Sequence, residues 1–196
     1  MKDSIAGFYN TIRVFYPLIN LFLLRQRIAL IQEINSYPKG NLLEIGIGDG
    51  SHLPLYKLHQ LTGIDISASM LEKAKQRNVD NANLLLMDGE ALKFPDASYN
   101  YIVLSHILAV AGDPEKLLQE VHRVLIPGGT LFILNHFTPE TWLSRIDKAF
   151  QPLSRLLHFR SYFKIEKIGG LQSFTLEKKE GFGLHDYFQL LIYSKP

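Results

Sequence analysis

Cysteine is absent from the 196 residues, which excludes a disulfide framework, a thiolate metal site and a cysteine nucleophile. Charge of one sign is also scarce. A formal net charge of +2 is far from the strong field of a dedicated nucleic-acid binder, so nucleic acid is not an expected partner. Long hydrophobic runs are missing as well: the most apolar stretch, Val14 to Leu24, is about half the length of a bilayer-spanning helix, and Arg25 and Arg27 close it. Such a segment can lie on a membrane without crossing it. The opening Met-Lys-Asp-Ser runs into apolar residues broken by Arg13, without a small-residue cleavage site. No secretory signal is expected, and a cytoplasmic location is. His52, His59, His122 and His158 show no metal-ligand spacing, so no metal is expected.

What is present describes an ordinary globular chain, with 46% hydrophobic and 20% charged residues. Its length suits one domain spanning 1–196. Apolar runs with strand character at 41–45, 61–65, 82–86, 101–104 and 130–135 are bounded by Gly, Pro, Asp or Asn. Helix-period segments at 67–77, with Ser67 as N-cap, and 113–125, with Asp113 as N-cap and Pro114 at the first helical position, fall between them. This alternation predicts βαβ units and a mostly parallel sheet. Two later strands, about 172–177 and 187–193, have no long helix between them and predict an antiparallel hairpin. Residues 4–35 read as helical, bent near Pro17, and 140–157 as a second helical segment containing Pro152. The N-terminal segment (1–36) and an insertion at 139–165 are therefore expected to flank the sheet as a substrate cap.

The strongest local signal is Leu42-Leu43-Glu44-Ile45-Gly46-Ile47-Gly48-Asp49-Gly50, a buried strand running into alternating glycines. Glycines there let the backbone turn tightly and approach a ligand at the carboxyl end of a first strand. Asp65 ends the second predicted strand and Asp88 follows the third, in Asp88-Gly89-Glu90. The first carboxylate can accept hydrogen bonds from ribose hydroxyls, the second from an adenine amine. The spacing thus predicts an adenosine lying across three strand ends. A pyrophosphate would be repelled by Glu44 and Asp49, and no Gly-Lys-Ser/Thr follows the glycines. Charge favours a sulfonium nucleoside over a dinucleotide, with Glu44 serving its cationic amino-acid part directly or by orienting the neighbouring loop.

These segments, with Gly63-Ile-Asp-Ile-Ser-Ala-Ser-Met-Leu71, Met87-Asp-Gly-Glu-Ala-Leu-Lys-Phe-Pro95 and Arg123-Val-Leu-Ile-Pro-Gly-Gly129, resemble the class I S-adenosylmethionine-dependent methyltransferases from about residue 40 onward. The resemblance implies an α/β, Rossmann-like fold: a doubly wound, seven-stranded, mostly parallel sheet with an antiparallel C-terminal hairpin and an N-terminal helical cap. It implies S-adenosylmethionine as cofactor and S-adenosylhomocysteine as product. Glu44 and the loop of Gly46, Gly48 and Gly50 would then cradle the methionine part, and Asp65 would hold the ribose. Ile66 and Met70 would line the adenine beside Asp88, Gly89 and Glu90, and Ser105 and His106 would follow the fourth strand where cofactor and acceptor meet.

A narrower resemblance bears on the acceptor. Tyr9-Asn10 and Tyr16, Asp113-Pro114-Glu115, Asn135-His136-Phe137 and Gly183-Leu-His-Asp-Tyr-Phe-Gln-Leu-Leu-Ile are similar to the short soluble phosphatidylethanolamine N-methyltransferases of bacteria, with Asn10 standing where that family commonly has Asp. It implies methylation of the lipid amine and of its mono- and dimethyl forms toward phosphatidylcholine. Tyr9 and Tyr16 would orient the amine, Tyr9 also touching the cofactor. Placed after the fourth and fifth strand ends, His106 and His136 could serve as base or phosphate ligand or hold structural hydrogen bonds, and Asn135 could contact the headgroup or fix the strand end. Apolar residues flanked by Arg13, Arg25 and Arg27, and by Arg145, Lys148, Arg155 and Arg160, suit an anionic phospholipid surface. The expectation is a monomer, peripheral on the inner face of the cell membrane. Two other readings stay open: methylation of a small soluble or quinone-type acceptor, and a non-catalytic nucleoside-binding protein at the membrane.

Overall fold

The computed structural model describes residues 16–77, 80, 82–138, 142 and 168–196, except for the side chains of 16–23 and 184. Helix α1 spans Tyr16–Asn35 and precedes strand β1, Asn41–Ile45. Pro17 stands in its first turn, where a missing N–H costs no helical hydrogen bond. β1 connects to β2, Gln60–Asp65, through one short 3-10 turn at Leu53–Leu55. Helix α2, Ala68–Lys75, leads to β3, Ala82–Leu86, and then β4, Tyr99–Ser105. Helix α3, Pro114–Val124, is followed by β5, Leu125–His136, and the chain closes with β6, Thr175–Phe182, and β7, Phe188–Ser194. The expected segment at 140–157 lies outside the described residues, apart from Trp142, which is exposed.

The seven strands form one sheet in the order β3-β2-β1-β4-β5-β7-β6. β1 to β5 pair in parallel, and β7 runs antiparallel between β5 and β6. After β1 the chain winds outward through β2 and β3 and then returns to β4 on the other side of β1. That reversal puts the switch point, where open α/β sheets bind ligands, at the carboxyl ends of β1 and β4. Helices cover both faces. Leu30 and Ile34 of α1 and Leu71 and Ala74 of α2 pack on Leu42, Val103, Phe132 and Leu190, while Leu117, Leu118 and Val121 of α3 pack on Leu43, Ile102, Leu104 and Ile133.

The predicted caps form as expected. The Ser67 hydroxyl accepts from the Met70 N–H, and the Asp113 carboxylate accepts from the Glu115 and Lys116 N–H groups. The boundaries of β5 and β6 differ most from expectation. β5 begins at Leu125, ahead of Pro127-Gly128-Gly129, because Leu125 pairs with Tyr99 across a register shift in β4 and the Gly128 N–H donates to the Lys195 carbonyl. β6 begins at Thr175 and extends to Phe182; residues 169–173 form a 3-10 turn instead, tied to α3 where the Gly169 N–H donates to Glu115 Oε1 at 2.6 Å.

Arg123 fastens the long β3–β4 connection to α3. Its guanidinium donates to the Phe94 and Leu92 carbonyls at 2.8 and 3.0 Å, to Asp96 at 2.7 Å and to both oxygens of Glu120. The two carboxylates raise its pKa further. Arg123→Ala is expected to lower unfolding free energy by roughly 2–3 kcal/mol in urea titrations. Arg123→Lys should restore less than half of that, since one ammonium cannot reproduce the planar fork.

Candidate active site

The switch-point edge is built around Asp65. Its Oδ2 accepts from the Gly48 N–H at 2.9 Å and its Oδ1 from the Ser67 N–H at 2.8 Å. One side chain at the end of β2 thus sets both the glycine turn after β1 and the start of α2. Burial raises the pKa of Asp65, while the N–H groups of Ser67, Gly48 and Ile66 pull it back. Each carboxylate oxygen has further lone-pair capacity for ligand hydroxyls.

Gly46, Gly48 and Gly50 all have positive φ, at 75°, 56° and 71°. Gly50 and Gly48 show two separate demands on the turn. A Cβ on Gly50 would stand 2.8 Å from Ala74 Cα and 2.8 Å from Leu53 Cδ1, so α2 packs directly on that backbone. A Cβ on Gly48 would meet nothing within 4 Å, which leaves open space on the side of the turn facing out from the sheet. Beside it, Ile66 is 62% exposed, an apolar platform next to a buried acid, and Met70 is half-buried in the first turn of α2.

At the next strand end Asp88 is exposed, and its Oδ1 accepts from the Glu90 N–H at 2.9 Å. Glu90 Oε1 accepts from the Asp113 N–H at 2.9 Å, so Glu90 ties this loop to the cap of α3. Gly89 packs tightly on Ile45 and Leu117. Ser105 ends β4, and His106 follows it with φ of 60° while its N–H donates to the Leu134 carbonyl. Burial, helped by the nearby positive charge of Arg27 and by His136 and His52, lowers the His106 pKa to about 3. The imidazole is therefore neutral at physiological pH, suited to hydrogen bonding rather than to taking up a proton. Asn135 is fully buried at the end of β5, and His136 stacks on Tyr187 with ring centroids 5.7 Å apart. Tyr9 lies outside the described residues; Tyr16 is described only as the first residue of α1.

Glu44 is held inside the protein, 1% exposed, and both of its oxygens are engaged. Oε1 pairs with His52 Nδ1 at 2.8 Å, and Oε2 accepts from the Tyr56 hydroxyl at 3.0 Å. Burial and the Glu44 charge together push the Tyr56 hydroxyl pKa well above its ordinary value. Of the two roles expected of Glu44, this geometry matches orienting the loop. His52 and Tyr56 were not among the sequence-derived candidates, because the contact depends on the short β1–β2 crossover folding back under the turn. Gln189, buried beside Asn135, was missed for a similar reason. Among the described residues no cluster of His, Cys, Asp or Glu could hold a metal.

A family profile described as a methyltransferase domain matches residues 43–133, the stretch that carries the turn, Asp65, Asp88 and β4. A phosphatidylethanolamine N-methyltransferase from Cereibacter sphaeroides is 34% identical over 137 residues, covering 66% of this chain and 67% of that protein. The chain belongs to the class I S-adenosylmethionine-dependent methyltransferases. A ubiquinone/menaquinone biosynthesis C-methyltransferase from Haemophilus ducreyi is 35% identical over 117 residues, 57% of this methyltransferase, which spans 42% of that relative. In fold the methyltransferase is similar to the crystal structure of a SAM-dependent methyltransferase from Thermotoga maritima, with a TM-score of 0.73, 22% identity, and coverage of 98% of this chain and 100% of that one.

The edge residues fit S-adenosylmethionine. Asp65 has spare acceptor capacity for ribose hydroxyls, Ile66 offers a face for adenine with Asp88 beside it, and the open side of Gly48 leaves room for the amino-acid arm. Gly48→Ala is expected to cost only about 1–2 kcal/mol of stability, the strain of a left-handed residue. It should weaken S-adenosylhomocysteine binding at least about tenfold by calorimetry, because the methyl fills ligand space. Gly50→Ala should show the reverse pattern: roughly 2–4 kcal/mol less stable by thermal unfolding, from overpacking plus strain, with the ligand's space left clear. Normal ligand affinity in Gly48→Ala would place the nucleoside elsewhere.

Proposed function

We propose that this methyltransferase acts on the amine headgroup of phosphatidylethanolamine and its mono- and dimethyl forms, toward phosphatidylcholine. The observation that carries this reading is the 34% identity to a phosphatidylethanolamine N-methyltransferase across two thirds of each chain. The surface of α1 supports it. Leu24 and Ile28, one helical turn apart, are 47% and 41% exposed beside exposed Arg25, an apolar and basic face suited to an anionic lipid surface. Trp142, 57% exposed, adds a residue type favoured at the membrane interface. No helix among the described residues is long and apolar enough to cross a membrane, so contact in this reading is peripheral, on the inner face of the cell membrane.

S-adenosylmethionine supplies a methyl on a sulfonium: the amine lone pair forms the N–C bond as the S–C bond breaks, its electrons staying on sulfur in S-adenosylhomocysteine. The protein's own work is positioning. Asp65 and the glycine turn hold the nucleoside, Ser105 and the neutral His106 line the approach from β4, and His136 bounds the acceptor side at the end of β5. Tyr9 and Tyr16 are proposed to orient the amine from the N-terminal segment, by cation–π contact that strengthens as methyl groups accumulate. With His106 held neutral, the lipid ammonium gives up its proton to solvent before it enters.

A second reading, transfer to carbon on a quinone-type acceptor, is favoured by the similarity to the Haemophilus ducreyi enzyme. Vesicles of phosphatidylethanolamine and anionic lipid, incubated with methyl-labelled S-adenosylmethionine, separate the two. The expected result is label in mono-, di- and trimethylated headgroups; unlabelled lipid beside a labelled demethylmenaquinol would overturn the phospholipid reading.

A further inference from the structure

At the junction of β5 and β7, Asn135 and Gln189 stand directly opposite each other in the antiparallel ladder. Such partners project from the same sheet face with Cβ atoms about 5 Å apart. Asn135 is 0% exposed and Gln189 is 7% exposed. The amide orientation of each is fixed at its nitrogen end: Asn135 Nδ2 donates to the His136 carbonyl at 2.8 Å and Gln189 Nε2 to the Asp186 carbonyl at 3.1 Å. Turning either amide over would set oxygen against oxygen, so the two carbonyl ends are committed as acceptors. Among the described residues, Asn135 Oδ1 and Gln189 Oε1 have no hydrogen-bond partner. Buried acceptors without donors cost stability, and two on facing ladder positions suit a ligand that brings N–H groups.

Their position suits that ligand. Asn135 is next to Leu134, whose carbonyl accepts from the His106 N–H, so the pair adjoins the end of β4. β5 is two strands from β1 in the sheet, about 10 Å across, within reach of the arm extending from the glycine turn.

We propose that Asn135 Oδ1 and Gln189 Oε1 form the acceptor-amine subsite, each taking one N–H of the neutral primary amine. This rests on the phospholipid amine reading above. With both N–H bonds directed at the carbonyls, the nitrogen lone pair points away from them, toward the methyl. Carbonyls accept no proton, so the added methyl leaves the product as an ammonium, which carries its proton out on release. A neutral primary amine has two N–H groups, the monomethyl form one and the dimethyl form none, so the subsite selects most strongly for the first transfer.

The test is methylation of phosphatidylethanolamine and its monomethyl and dimethyl derivatives, each in vesicles, by Asn135→Leu, Gln189→Met and the double variant. For the unmethylated lipid, kcat/KM should fall about tenfold in each single variant and about a hundredfold in the double, at about tenfold per lost hydrogen bond. The dimethyl lipid should lose least, so that the preference for the unmethylated lipid narrows in each variant. Equal losses on all three lipids, or none on the first, would overturn the subsite. A second measurement does not depend on the variants folding: in the wild-type protein with S-adenosylhomocysteine, ethanolamine should shift the side-chain amide signals of Asn135 and Gln189, and unmoved signals would also overturn it. Wild-type protein that methylates no aminophospholipid would reject the phospholipid reading instead, while the ethanolamine titration still decides the subsite.

Discussion

The clamp made by Asp65 is the interaction on which this edge of the molecule depends. A carboxylate at 9% exposure is costly unless N–H groups surround it, and here they come from two different connections, at Gly48 and Ser67. The glycine turn after β1 and the N-terminus of α2 are therefore set relative to each other by a single residue of β2. Without it, the positive-φ backbone at Gly48 would lose its side-chain acceptor, and α2 would lose the link that aligns Ala74 with Gly50. Burial still raises the Asp65 pKa above its ordinary value, because the N–H groups offset only part of the desolvation.

A second buried carboxylate works beneath the first. Glu44 binds the chain leaving the turn, through His52 and Tyr56, and so substitutes for the longer helix that a β1–β2 crossover usually contains. The two acids divide the labour: Asp65 holds the turn from the side where a nucleoside is expected, and Glu44 holds it from the interior. On the other half of the edge the groups are neutral. His106 is kept uncharged by burial, and the amides of Asn135 and Gln189 offer dipoles rather than charges. A neutral surface there suits an acceptor that must enter without its proton.

Much of this was legible in the sequence because its causes are local. The alternating glycines, the acids at strand ends and the caps at Ser67 and Asp113 each depend on a few neighbouring residues, and all fall where the pattern predicted. The misread parts depend on partners far along the chain. The second half of β6, with Lys178, Lys179 and Glu180, lies beyond the strand expected at about 172–177 because, as an edge strand, it exposes charged side chains; its ladder to β7 carries it on to Phe182. β5 begins early because Leu125 finds Tyr99, not because of its own proline- and glycine-containing start. Gln189 escaped notice since its importance comes from its register against Asn135, and His52 since it meets Glu44 only through the fold of the crossover.

The edge described above requires a nucleoside to lie over the carboxyl ends of β1, β2 and β3 with Asp65 at its ribose. A crystal structure of the protein with S-adenosylhomocysteine tests it most directly. Both ribose hydroxyls are expected to donate to Asp65, the adenine to lie against Ile66, and the amino-acid arm to run along the turn of residues 46–50. A ligand bound away from that edge, with Asp65 still serving only backbone N–H groups, would rule this arrangement out.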